Sequence, residues 1–180
     1  MKARVRSTRL PDWSQSESDS RPGGEPASED RILFVDDDAN ILDGYKRLLH
    51  GEFDVETAVG GERGLAVLHL LGPFAIVVSD MRMPGMSGAE FLAQVRLTSP
   101  ISVRMLLTGF KDIDCAIDAV NQGNIFRYLT KPCNKEELVR AIRLGLEKYR
   151  ANAERENQLR QAREIQLRAN RLNEFLHPMK

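Results

Sequence analysis

Acidic side chains follow two short apolar segments of this sequence, and a hydroxyl and an ammonium follow two others. The acidic run 36–38 comes after the first segment and Asp80 after the third, while Thr108 and Lys131 end the fourth and fifth. If these segments are parallel strands of one sheet, their carboxyl ends lie at the edge where ligands bind in open α/β folds. The sequence therefore predicts one pocket with at least three carboxylates, one hydroxyl and one ammonium.

Carboxylates gathered in this way repel one another unless a cation lies between them. Oxygen ligands without His or Cys favour a hard ion, and Mg²⁺ is the expected one. A magnesium ion beside a carboxylate, a hydroxyl and a lysine is suited to phosphoryl transfer, because these groups neutralise the phosphoryl oxygens. Asp80 stands alone at its strand end. We therefore predict that Asp80 is the nucleophile that forms an acyl phosphate.

Five apolar segments must form the strands that position these groups. They are Ile32–Val35, Phe53–Val59, Ala75–Ser79, Val103–Leu107 and Ile125–Leu129. The stretches between and after them repeat apolar residues with a period near 3.6, which is typical of helices. The near-continuous apolarity of several strands suits a parallel sheet covered on both faces. Five strands each followed by a helix predict a doubly wound α/β domain, (βα)5.

Composition excludes several classes of protein. Of 180 residues 42% are hydrophobic, and 26 Lys and Arg balance 26 Asp and Glu, so bulk charge does not favour nucleic acid or anionic membranes. No apolar run approaches the length of a membrane span. Cys115 and Cys133 are too few for a disulfide scaffold or a four-cysteine zinc site, and we expect them to be small apolar residues rather than redox sensors. A reducing compartment, the cytoplasm, is expected.

The ends of the chain differ from its middle. Residues 1–30 are rich in Ser, Pro and sorted charge, which predicts a disordered N-terminal arm, with a partner-binding arm as the alternative. Residues 151–176 contain neither Gly nor Pro, so we expect them to extend the fifth helix until Pro178 ends it.

That helical tail, residues 151–180, carries apolar residues at alternating spacings of three and four. They are Ala162, Ile165, Ala169, Leu172 and Leu176. This spacing is typical of a coiled-coil seam, which would make a homodimer or bind another protein. The seam is short, and the alternative is an exposed helix that frays.

Four segments of the sequence, taken together and in order, resemble the signature segments of response-regulator receiver domains. They are residues 34–38, 78–88, 107–109 and 128–132, and the resemblance covers residues 31–150. It implies a flavodoxin-like (βα)5 fold with strand order 2-1-3-4-5. It also implies Mg²⁺-dependent transfer of a phosphoryl group onto Asp80 from a sensor histidine kinase or a phosphotransfer protein.

The resemblance further assigns a metal site. Asp36 and Asp37 match the acidic pair that holds the metal, with Asp37 the direct ligand. Asp80 and the backbone carbonyl of Arg82 would complete the ligands that the protein supplies.

Lys131 matches the lysine that binds a phosphoryl oxygen, and Thr108 the hydroxyl that moves toward another oxygen on phosphorylation. Tyr128 matches the aromatic residue that turns inward as Thr108 moves. Three further positions match residues that tune access to the acyl phosphate, namely Arg82, Gly109 and Phe110.

The output of the domain has two interpretations. The tail is too short for a DNA-binding or catalytic domain, which favours a signalling switch that catalyses only its own phosphorylation and dephosphorylation and does not bind DNA directly. Its downstream protein is not indicated by the sequence. The alternative is a receiver fragment whose helix connects to a missing enzymatic output domain. Residues 124–133 resemble receivers joined to cyclic-dinucleotide phosphodiesterase domains.

Overall fold

The computed structural model describes residues 30–109 and 125–176. The strands are β1 (Ile32–Asp36), β2 (Val55–Val59), β3 (Ile76–Asp80), β4 (Val103–Gly109) and β5 (Arg127–Lys131). The helices are α1 (Ala39–Leu49), α2 (Gly61–Leu71), α3 (Gly88–Thr98) and α4 (Lys135–Leu176). The predicted N-terminal arm up to residue 29, the helix predicted around residues 113–120, and Pro178 lie outside the described residues.

The five strands form one parallel sheet in the order β2-β1-β3-β4-β5, which confirms the predicted fold and strand order. Every residue of β1 and β3 is buried, as expected of central strands covered on both faces. The register pairs Asp80 with Leu107 and Thr108 with Thr130. The ends of β1, β3, β4 and β5 therefore meet at one edge of the sheet.

Strand alternation divides the buried side chains between two cores. Phe34, Ile76 and Met105 face the side of the sheet covered by α1 and α4. Leu33, Val77 and Leu106 face the side covered by α2 and α3. Because successive strand residues point to opposite faces, a strand buried on both sides contributes to both cores.

Several details differ from the sequence prediction, and β2 begins at Val55 rather than at Phe53. β5 begins at Arg127, two residues later than expected. Ile125 is buried and the Phe126 amide donates to the Arg104 carbonyl, so these two residues lead into the strand.

The helical spacing of the apolar residues in α3 would place Leu97 with Phe91, Leu92 and Val95, but Leu97 is 76% exposed. It follows buried Val95 by two residues, about 200° around the helix, and so faces outward.

The C-terminal helix α4 is continuous over 42 residues, which confirms that the tail extends the fifth predicted helix. Leu138, Ile142 and Tyr149 bury its first four turns against the sheet. Asn152, whose side-chain amide donates to the Ile101 carbonyl at 3.3 Å, is near the end of this contact. All described side chains from Glu154 onward are exposed. Within residues 30–109 and 125–176, no helix has the length and apolarity needed to cross a membrane.

Candidate functional site

The ammonium of Lys131 lies between two buried carboxylates. Its Nζ donates to Asp36 Oδ2 at 2.7 Å and also donates to Asp80 Oδ1. Asp36 is 2% exposed and Asp80 is 8% exposed. Burial alone would lower the pKa of Lys131, but the hydrogen bonds and negative charge of both carboxylates outweigh it and raise that pKa. Lys131 therefore remains positively charged at neutral pH.

The second oxygen of each carboxylate accepts a hydrogen bond from a backbone amide. The Asp38 amide donates to Asp36 Oδ1 at 3.0 Å, and the Arg82 amide donates to Asp80 Oδ2 at 2.6 Å. These contacts fix the plane of each carboxylate, and Lys131 fixes its direction. The site is therefore preorganised by the loops that follow β1 and β3.

The acidic run at the end of β1 divides into three roles. Asp36 is the last strand residue and points inward, whereas Asp37 is exposed. Asp38 caps α1, because its Oδ1 accepts from the Asn40 amide at 2.8 Å. The cap sets the direction of α1 directly after the buried carboxylate.

The backbone of Asp80 packs against Gly88, a contact that sequence reasoning missed. The Gly88 amide donates to the Met81 carbonyl at 2.9 Å. A Cβ atom added to Gly88 would lie 1.9 Å from the Asp80 carbonyl oxygen, which itself accepts from Ser79 Oγ at 2.8 Å. Only glycine allows this close approach. The glycine that closes the 78–88 segment was visible in the sequence, but its neighbour was not.

The loop between Asp80 and α3 ends in a capping box. The Ser87 amide donates to Glu90 Oε2 at 2.9 Å, and the Glu90 amide donates to Ser87 Oγ at 3.3 Å. Hydrogen bonds from the Ser87 backbone and side chain lower the pKa of Glu90. The box fixes the α3 end of the loop whose Arg82 amide holds the Asp80 carboxylate.

Thr108 and Tyr128 lie on the two strands beyond Asp80. Thr108 is fully buried, and its hydroxyl donates to the Gly109 carbonyl at 3.2 Å. Tyr128 lies on the edge strand β5 and is 52% exposed. Gly109 is partly exposed at the end of β4, and Phe110 lies outside the described residues.

The side chains at the site offer carboxylate oxygens, which are the kind of ligand that Mg²⁺ prefers. Asp36 and Asp80 direct oxygens toward one point, as their shared contact with Lys131 shows, and exposed Asp37 follows on the solvent side. Within the described parts of the chain, no group of three His, Cys, Asp or Glu side chains is gathered at one point. Mg²⁺ does not require such a group, because it usually binds one or two carboxylates and keeps several waters. The Lys131 ammonium supplies positive charge between the two buried carboxylates.

Cys133, two residues after Lys131, is partly buried. Burial, together with the nearby Glu137 carboxylate, raises the pKa of its thiol to about 11. A thiol with so high a pKa is almost entirely protonated at neutral pH, which agrees with a packing role. Cys115 lies outside the described residues.

The family model described as the response regulator receiver domain matches residues 32–143 of this chain. The chain belongs to the response regulator receiver domain family. Response regulators act in two-component signalling, and the receiver is their phosphorylation-dependent input module.

Curated relatives of this receiver are regulators of transcription. The hydrogenase transcriptional regulatory protein HoxA of Cupriavidus necator is 35% identical over 116 residues, which cover 64% of this chain and 24% of HoxA. The transcriptional regulatory protein GlrR of Escherichia coli K12 is 37% identical over 117 residues, covering 64% of this chain and 26% of GlrR. The chain thus spans about a quarter of the length of these relatives.

Solved structures give the same fold. A structure described as adenylate cyclase from Rhodopirellula baltica is 42% identical with a TM-score of 0.70, covering 73% of this chain and 98% of that one. The signal receiver domain of an HD domain-containing protein from Pseudomonas fluorescens Pf-5 is 32% identical with a TM-score of 0.65. That match covers 68% of this receiver chain and 98% of the Pseudomonas chain.

Proposed function

We propose that Asp80 accepts a phosphoryl group from the phosphohistidine of a sensor histidine kinase or a phosphotransfer protein. The observation that supports this is the Asp80 carboxylate, buried at a strand end and held between a backbone amide and the Lys131 ammonium. An Asp80 oxygen attacks phosphorus, and the new P–O bond forms as the histidine P–N bond breaks. The imidazole nitrogen leaves with the electron pair and takes up a proton.

Lys131 and Thr108 bind the phosphoryl group after transfer. Phosphorylation adds a charge of about −1.5 to −2 and three acceptor oxygens. Lys131, already in contact with Asp80, binds one of these oxygens. The Thr108 hydroxyl exchanges its contact with the Gly109 carbonyl for another, and exposed Tyr128 turns into the space that Thr108 vacates. The surface around β5 then differs between the two forms.

Magnesium belongs to the same proposal. Asp36, Asp37, Asp80 and the backbone carbonyl of Arg82 would hold the ion, which neutralises phosphoryl oxygens when bound. The side chains of Arg82 and Phe110, with Gly109 at the pocket mouth, tune access of water to the acyl phosphate.

The module acts as a cytoplasmic switch that changes a partner-binding surface and is not itself an output enzyme. Its proposed organisation is a disordered arm over 1–30, a receiver over 31–150 and a helical tail over 151–180. Direct DNA binding is not part of the proposal, because the described part of the tail mixes Arg with Glu rather than presenting a basic face. The acceptor site would work in the same way if α4 led to an enzymatic output domain.

Beryllofluoride, which stands in for the phosphoryl group on a carboxylate, tests the proposal. With Mg²⁺ present we expect one beryllofluoride per chain, observed by ¹⁹F NMR, and no binding to Asp80→Asn. Asp43→Asn is the matched control, since Asp43 is an exposed aspartate on α1. It should bind as the unmodified chain does, and EDTA should abolish binding in both. One bound beryllofluoride on Asp80→Asn would refute the acceptor assignment.

A further inference from the structure

Strand β3 is apolar until its last two positions, where a serine precedes the proposed phosphoacceptor. Ile76, Val77 and Val78 are fully buried, and so is Ser79. Central strands favour β-branched apolar residues, and a buried hydroxyl costs free energy unless it is hydrogen-bonded. The hydroxyl at position 79 therefore points to a contact that an apolar side chain could not make.

The Ser79 hydroxyl contacts the peptide group that joins Asp80 to Met81. Its Oγ donates to the Asp80 carbonyl oxygen at 2.8 Å, and the Met81 amide of the same peptide group donates to the Leu107 carbonyl at 2.9 Å. A peptide group is planar and nearly rigid. Hydrogen bonds at both of its ends therefore fix its orientation, and this restricts the backbone torsion of the residue that carries the acceptor carboxylate.

The backbone that follows this peptide group is also held by hydrogen bonds. The Arg82 amide donates to Asp80 Oδ2 at 2.6 Å, and the Gly88 amide donates to the Met81 carbonyl at 2.9 Å. Both donors are backbone amides, which substitution of a side chain leaves in place. Ser79 acts through its side chain, so a single substitution can remove its contact without removing the other two.

Space around the Ser79 hydroxyl is limited on the side of α3. A Cβ atom added to Gly88 would lie 3.0 Å from Ser79 Oγ and 1.9 Å from the Asp80 carbonyl oxygen. The first residue of α3 therefore confines both atoms of this hydrogen bond. A hydroxyl confined in this way has few other orientations, so little rotational freedom is lost when it donates to the carbonyl.

From these contacts we infer that Ser79 is a positioning residue for phosphoryl transfer. Its hydroxyl holds the peptide group between Asp80 and Met81, and so keeps the Asp80 carboxylate in the direction from which it attacks phosphorus. The inference rests on the proposed phosphoacceptor function. Reacting groups must be closely aligned for rapid transfer, so a small rotation of the carboxylate slows the reaction even where the fold survives.

Ser79→Ala tests the inference, and Ser102→Ala is its matched control. Ser102 is 1% exposed and its Oγ donates to the Phe74 carbonyl at 2.6 Å, but it directly precedes β4, at the end of the sheet opposite Asp80. Loss of a buried hydrogen bond should lower Tm by roughly 4 °C in Ser79→Ala. Ser102→Ala should lower it at least as much, because Ser102 Oγ also shares a hydrogen bond with Ser99 Oγ at 2.6 Å.

The measurement is the initial rate at which acetyl phosphate and Mg²⁺ phosphorylate the full chain, followed by intact mass at a temperature where every variant is folded. Ser79→Ala should slow this rate about tenfold, and Ser102→Ala should leave it within about twofold. Equal rates for the two variants would overturn the inference. If the unmodified chain gained no phosphoryl group, with all of these contacts in place, the proposed function would be refuted and the inference with it.

Ser79→Cys separates the hydrogen bond from the volume of the side chain. A thiol has a similar shape but is a weak donor, so this variant should be slowed nearly as much as Ser79→Ala. A rate equal to that of the unmodified chain would show that filling the space is enough, and would contradict the role of the hydroxyl. The cysteine variant also decides the question if Ser79→Ala fails to fold.

Discussion

Lys131 contacts Asp80 across an intervening strand. The two residues end β5 and β3, and β4 lies between them, so the long side chain of Lys131 reaches over the end of β4 to the Asp80 carboxylate. The same ammonium donates to Asp36 at 2.7 Å. The Lys131 ammonium thus joins the ends of three strands at the proposed phosphoacceptor site. Its removal should change both the free energy of unfolding and the reactivity of the site.

Lys131→Met should destabilise the domain by about 2 kcal/mol, because two buried carboxylates lose their shared cation. Urea unfolding at neutral pH measures this. The pKa of Lys131 is raised in the folded protein, so its contribution is present below the ordinary lysine pKa and is lost as the pH rises through the raised value. The unmodified chain should therefore lose this contribution to the free energy of unfolding at alkaline pH, and the variant should not.

Lys135→Met is the control for this prediction. Lys135 contacts Glu52 at 2.8 Å, but both side chains are substantially exposed, and exposed ion pairs contribute little. A loss as large as that of Lys131→Met would show that the effect is not specific to the buried site.

Gly88→Ala should cost about 3 kcal/mol or displace the Asp80 backbone, since its Cβ would lie 1.9 Å from the Asp80 carbonyl oxygen. Thermal unfolding measures the cost, and beryllofluoride binding reports the position of the carboxylate. Gly44→Ala is the matched control, because a Cβ there meets nothing within 4 Å and α1 should gain about 0.5–1 kcal/mol. Equal stability of the two variants would contradict the proposed close packing.

Ser87→Ala should remove the capping box of α3 and cost about 1 kcal/mol. The lowered pKa of Glu90 means that the carboxylate stabilises the fold above its ordinary pKa, and that this contribution is lost as the pH falls through the lowered value. The difference in the free energy of unfolding between the variant and the unmodified chain should therefore become smaller at acidic pH. A constant difference across that range would show that Ser87 acts without the Glu90 carboxylate.

Cys133 should react slowly with iodoacetamide at neutral pH, because its thiol pKa is raised to about 11. In a Cys115→Ser background, the alkylation rate should keep rising with pH toward 11 instead of levelling off near the ordinary thiol pKa. A rate that levels off near that ordinary value would argue against the burial effect.

Much of the site's placement followed from the sequence because strand ends can be read from it. Asp36, Asp80, Thr108 and Lys131 each follow an apolar run, and parallel strands bring such ends to one edge. The sequence could not show that Lys131 bridges both acids or that Gly88 abuts Asp80, because these contacts depend on loop geometry.

Helix α4 shows a different limit. Its continuity was predicted from composition, and its late seam from spacing. Leu97 shows that an apolar residue near a buried stripe need not belong to it.

The most direct measurement of the central claim is to map the acceptor residue itself. The full chain is incubated with acetyl phosphate and Mg²⁺, the acyl phosphate is reduced with borohydride, and peptides are sequenced by mass spectrometry. The account predicts reduction at Asp80 alone, with none when Mg²⁺ is removed. Reduction at Asp36 or Asp37 with Asp80 unmodified would contradict it.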